Sequence, residues 1–105
     1  PLACVAALVV LKVIERDGLV GHAAEMGEML HAVIGSLGAK DVRGLGLMQA
    51  IEFAEPRAKA FQQACLDAGL VVNAVDDNTN RFVPPLIITP DQIDRAQKTM
   101  QEVAR

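Results

Sequence analysis

The sequence predicts an α+β fold: a small, mostly antiparallel sheet with helices packed over one of its faces. Three observations carry that prediction. Apolar residues at helical spacing and short period-two runs follow one another in the order helix, helix, strand, helix, strand, strand, helix, which is the order of a layered α+β domain. The chain has 105 residues, enough for a single core. A hydrophobic content of 51% with 22% charged residues places it among globular proteins, far from disordered ones.

The first helix is expected over residues 1–16, with Pro1 in the first turn, where its missing N–H costs nothing, and Gly18 as the stop. Its first fourteen residues, PLACVAALVVLKVI, contain one polar side chain, Lys12. That run is too short to span a membrane, which takes about 20 residues, and a helix apolar on nearly all sides has to be covered on nearly all sides. The chain is therefore expected to be a fragment, residues 1–105 forming one domain and residues 1–17 the helix that links it to a large domain on the N-terminal side. In the second helix Leu19, Ala23, Met26, Leu30, Val33 and Leu37 line one face up to Gly38, and Glu25, Glu28 and His31 lie on the other.

LGLMQAIEF, residues 45–53, reads as one strand with Leu45, Leu47, Gln49, Ile51 and Phe53 on a common face. Gly44 and Gly46 mark a bulge, a bend or a close approach by backbone or ligand, sheet geometry being the preferred reading. Pro56 opens a third helix, with Phe61, Cys65 and Ala68 inward and Gly69 at its end. LVVN is a short strand, AVDDNTN a turn, and RFV the returning strand. The last helix starts on Thr89 as N-cap, Pro90 at the first helical position and Gln92 closing a capping box, and it turns Ile93, Ala96, Met100 and Val103 inward.

A net charge of −3, scattered basic residues and only three aromatics, all Phe, argue against nucleic acid as a partner. Cys4 and Cys65 are far apart, without a CxxC pair or a signal peptide, and read as reduced core residues of a cytoplasmic protein. His22 and His31, nine residues apart on a helix, fall on opposite sides and cannot share a metal; solvated or capping roles are expected for both. Asp76 and Asp77 read as turn residues, and GLG at 44–46 lacks the spacing of a nucleotide loop. Lys12, Lys40, Lys59 and Lys98 sit on or beside helix surfaces, without the desolvated setting of a Schiff-base lysine. Arg81 heads an apolar stretch stiffened by Pro84 and Pro85. Two readings stand open for it: an exposed strand end with a surface ion pair worth about 0–1 kcal/mol, or a planar fork held to grip a carboxylate through two parallel hydrogen bonds.

PLACVAALVVLKVIE, VRGLGLMQAIEF, AGLVVN and NRFVPPLIITPDQID, in this order, resemble the C-terminal part of class III pyridoxal-phosphate aminotransferases, in particular their acetylornithine-type branch. The resemblance implies the small domain of a fold-type I homodimer. It also implies that Arg81, at the head of RFVPPL, binds the substrate α-carboxylate. The intact enzyme would use pyridoxal phosphate to move an amino group from N-acetylornithine to 2-oxoglutarate, in arginine biosynthesis. The cofactor lysine and the phosphate-binding loops are expected outside this segment, so that the segment supplies no catalytic or cofactor-binding residue and is inactive alone. The alternative is a free-standing amino-acid-binding or oligomerisation domain without catalysis.

Overall fold

A computed structural model describes residues 1–104. Four helices, α1 (Leu2–Arg16), α2 (Leu19–Gly35), α3 (Ala58–Asp67) and α4 (Pro90–Val103), accompany four strands, β1 (Asp41–Leu45), β2 (Met48–Glu52), β3 (Asn73–Ala74) and β4 (Thr79–Phe82). The strands form one antiparallel sheet in the order β1-β2-β4-β3. Helices α2, α3 and α4 close over one face of it, and α1 packs against α2.

The single strand expected over residues 45–53 is instead a hairpin, with Leu45 opposite Met48 and the two-residue turn Gly46–Leu47 between them. Gly46 takes φ +56° and the next residue does not share the positive sign, the pattern of a turn with glycine at its first central position. Periodicity missed the turn because Leu47, Gln49, Ile51 and Phe53 do keep one buried face, as expected, whereas Leu45 belongs to the partner strand and stands 89% exposed. Both glycines serve sheet geometry. A Cβ on Gly44 would collide with the Met48 carbonyl oxygen across the hairpin, and one on Gly27 of α2 would collide with the backbone of Gly46.

The core joins Met26, Leu30, Val33 and Ile34 of α2 to Ile51 and Phe53, to Phe61 and Cys65 of α3, and to Ile93 and Met100 of α4. Phe53 and Phe61 meet edge to face with ring centres 5.6 Å apart. Helix α3 begins two residues later than Pro56 suggested, because Ala58 N–H is taken by the Asp77 carbonyl and Arg57 becomes the N-cap. Helix α4 starts as expected: Thr89 accepts from Gln92 N–H at 3.3 Å and the Gln92 side chain accepts from Thr89 N–H at 3.0 Å. Cys4 departs from its expected core position. It lies on α1, none of whose residues is buried, and only Cys65 is a core thiol.

Candidate functional site

Pairing fixes a row of four residues across the open face of the sheet: Arg43 on β1, Ala50 on β2, Arg81 on β4 and Asn73 on β3. Side chains directly opposite one another in antiparallel strands share a face, so both arginines project to the side away from the helices. At about 4.8 Å per strand their Cα atoms lie about 10 Å apart, with the small Ala50 between them. Leu45, Met48 and Val83 make one end of this face apolar and exposed. Lys40, Asp41 and Glu52 make the other end charged.

The two arginines differ in what surrounds them. Arg43 donates to Asp41 at 3.0 Å and to Glu52 at 3.1 Å, and Lys40 reaches the second oxygen of Glu52 at 3.1 Å. Hydrogen bonds from Lys40 and then Arg43 hold the Glu52 carboxyl below its ordinary value, and those from Asp41 and Glu52 hold Arg43 above its own. Two cations and two anions thus neutralise one another at that end. Arg81 is exposed, flanked by Ala50 and Asn73, and has no acidic side chain within salt-bridge distance among the described residues. None of its five N–H donors has a partner among the described residues, which leaves them available to an anion.

Backbone chemistry holds Arg81 in place. The β3–β4 ladder stops at Asn73–Arg81, and further out Pro84 and Pro85, having no N–H, have no donor to offer residues 69 and 70 in that register. Where these stretches diverge, a cleft of about 560 Å³ opens, walled by Leu70, Val72, Phe82, Pro84, Ile88 and Ile93, with Arg81 at its border. The cleft reaches to the helix-covered side and its walls are mainly apolar, with Asn73, Arg81 and Gln92 as the polar members. An anion gains little from the apolar part of that lining, which makes the open face around Arg81 the better candidate site.

The other residues singled out by the sequence lie elsewhere. His22 Nε2 donates to the Ile88 carbonyl at 2.7 Å, tying α2 to the segment that follows Pro85. His31 Nδ1 donates to Gln49 Oε1 at 3.0 Å, and the buried Gln49 passes the tether on to the Gly46 carbonyl at 2.8 Å. His22, half-buried, joins two elements in place of the solvated or capping role expected of it; His31 is exposed, as a solvated role requires, and its bond also ties α2 to β2. Asp76 caps its own turn by accepting from the N–H groups of Asn78 and Thr79, which lowers its pKa, and Asp77 pairs with Lys59 at 2.9 Å. All four lysines are exposed, so the described residues contain no desolvated amine suited to holding pyridoxal phosphate. Nor do they contain a group of three His, Cys, Asp or Glu placed to bind a metal, and no helix among them is long and apolar enough to cross a membrane.

Sequence reasoning passed over Gly27, the Arg43 network and Asn80. A glycine inside a helix pattern is a signal of close packing. Asn80, read as part of a turn, is a fully buried β4 residue.

Comparison with known proteins follows the same outline. The family described as "Aminotransferase class-III" matches residues 1–104. Acetylornithine aminotransferase of Bifidobacterium longum is 42% identical over 106 residues, covering 98% of this chain and 25% of that protein. The enzyme of the same name from Archaeoglobus fulgidus is 43% identical over 100 residues, covering 95% of this chain and 26% of that one. Among solved structures, acetylornithine aminotransferase from Elizabethkingia anophelis superposes with a TM-score of 0.91 at 28% identity, over 98% of this chain and 29% of that one. Lysine aminotransferase from M. tuberculosis gives 0.83 at 28% identity, over 90% and 23%. The chain spans about a quarter of the length of the curated relatives it matches.

Proposed function

Given that this chain belongs to the class III aminotransferases, we propose that it forms the substrate-carboxylate face of an acetylornithine-type enzyme, with Arg81 as the anchor. One observation carries the reading: of two arginines in one row of the open face, Arg43 is already neutralised and Arg81 is not. A planar guanidinium with no internal anion, on a strand stiffened by two prolines, suits two-point capture of a carboxylate.

In the intact protein the reaction is amino transfer from N-acetylornithine to 2-oxoglutarate, a step of arginine biosynthesis. Both substrates carry an α-carboxylate, so one fixed arginine can serve both half-reactions. Pyridoxal phosphate supplies the electron sink for such chemistry. The residues of this segment do not fit that group, since their lysines are exposed and Lys40 and Lys59 are ion-paired; its lysine belongs to sequence outside these 105 residues. What this chain contributes is binding and orientation. Enzymes named for acetylornithine and for lysine share this segment's fold at equal identity, which supports a reading in which donor choice is made by residues elsewhere.

Residues 1–17 belong to the same proposal as the helix joining this small domain to a large one. The support is physical: Leu2, Val5, Leu8, Val9, Val10 and Leu11 are all exposed on α1, far more contiguous apolar surface than a free helix tolerates in water. A homodimer in a reducing cytoplasm completes it, in keeping with the free Cys65 thiol of the core.

The test is Arg81→Ala in the intact enzyme. With the carboxylate buried against Arg81 in the intact enzyme, loss of the anchor is expected to lower kcat/KM for donor and acceptor alike by about 2–5 kcal/mol of transition-state binding, the range for removing one partner of a buried charge pair. Unchanged kcat/KM for both substrates would remove Arg81 from the site.

A further inference from the structure

We infer that Asn80 is a positioning residue for the carboxylate anchor, cross-linking from inside the core the three elements that fix Arg81. The inference rests on the reading of Arg81 given above. Asn80 precedes Arg81 on β4 and faces the opposite way, with no exposed surface at all. Its Nδ2 donates to the Ala58 carbonyl in the first turn of α3 at 3.1 Å, and more weakly to the Asn73 carbonyl of β3 at 3.4 Å. Its Oδ1 is buried and has no partner among the described residues.

That imbalance argues against a mere filler. A leucine would occupy similar space without burying an unsatisfied acceptor, so packing alone would favour it. What a leucine could not do is make the two links. Asn73 is the residue directly opposite Arg81, and β3 is only two residues long. The ladder goes no further than this pair, and the cleft beyond leaves that edge without filling. Asn80 therefore adds the links that make β4, the Asn73 flank and the start of α3 move together. Without them the Asn73 flank loosens, and the guanidinium drifts from the geometry that two parallel hydrogen bonds require.

The experiment uses the intact enzyme and the two substrates of the amino transfer. Asn80→Leu is expected to raise KM for both by about tenfold, with kcat within about twofold. Asn80→Ser, too short to reach both carbonyls, is expected to raise both KM values several-fold. In an Arg81→Ala background, Asn80→Leu is expected to raise KM no further, since the residue acts through the anchor. Wild-type KM values in the Leu and Ser variants, or an effect of Asn80→Leu that persists in full without Arg81, would overturn the inference. If Arg81→Ala alone left kcat/KM unchanged, the anchor reading would fail instead, so the two failures are separable.

Discussion

Gly27 sits in the interior of α2, where alanine is ordinarily the better residue by about 0.5–1 kcal/mol. Here the sign is expected to reverse. A Cβ at Gly27 would stand 2.5 Å from the carbonyl carbon and 2.7 Å from the Cα of Gly46, and closer still to its carbonyl oxygen, whereas ordinary contacts begin near 3.4 Å. All three obstacles are backbone atoms of the hairpin turn and none can rotate away. Helix α2 would have to retreat by about 1 Å, which forfeits a large part of its dispersion contact with the β1–β2 hairpin and stretches the 3.0 Å bond from His31 to Gln49. Overpacking of this kind costs about 1–3 kcal/mol, so Gly27→Ala should be a net loss of about 1–2 kcal/mol after the helical gain. Gly21, in the same helix with nothing within 4 Å of its hypothetical Cβ, is the control, and Gly21→Ala should be neutral or stabilising. Thermal unfolding of the intact protein, wild type and both variants together, measures the difference. Since the hairpin also carries Ala50 beside Arg81, Gly27→Ala should raise substrate KM as well. Equal midpoints for the two variants would show that the hairpin yields easily and that the tight approach of α2 does not constrain the fold.

The neutralised arginine gives a contrasting expectation. Arg43→Gln should leave KM for both substrates within about twofold, because Arg43 is engaged by Asp41 and Glu52 and its exposed pairs contribute little; a KM change as large as that of Arg81→Ala would mean that both arginines bind substrate. Cys65 makes stability depend on pH. Burial pushes its thiol up from 9.0 to about 11, so above pH 9 the unfolded chain releases a proton that the folded one retains. The stability it confers is fully present below pH 9 and is lost as pH rises toward 11, by about 3 kcal/mol for two pH units. Unfolding measured between pH 8 and 11 should show that decline in the wild type and a shallower one in Cys65→Ala, and parallel curves would refute the assignment.

How far the sequence carries depends on whether a feature is local. The capping box of α4 is written in four consecutive residues, Thr89 to Gln92, and it forms as read. The inward faces of α2 and α4 follow from spacing alone, with Leu30, Val33, Ile93 and Met100 all buried. The β1–β2 hairpin failed to announce itself because Leu45 and Leu47 continue an apparent alternation straight through a turn. Only Gly44 and Gly46 hinted at it. His22, His31, Gln49 and Asn80 find partners 66, 18, 3 and 22 positions away, and most of these distances lie beyond any periodicity. For Arg81 the sequence supplied the stiff setting but left its partner open. That depended on whether an acid would stand opposite, which is a matter of register.

Register decides it through Ala50. The strand order places β2 between the two arginines, and the pairing puts its smallest side chain level with both of them, while Glu52 lies one step further along the same face. Had β4 been shifted by two residues toward the other end of β2, Arg81 would lie opposite Glu52 and be neutralised as Arg43 is. The pairing Glu52–Thr79 instead gives the acid a hydroxyl neighbour on that side. Lys40 and Arg43 take up its charge from the β1 side. The internal ion network thus draws the available carboxylates of this face away from Arg81. An anchor for an external carboxylate requires such an arrangement, because a guanidinium already paired within the fold would bind substrate only by exchanging one carboxylate for another, with little net gain.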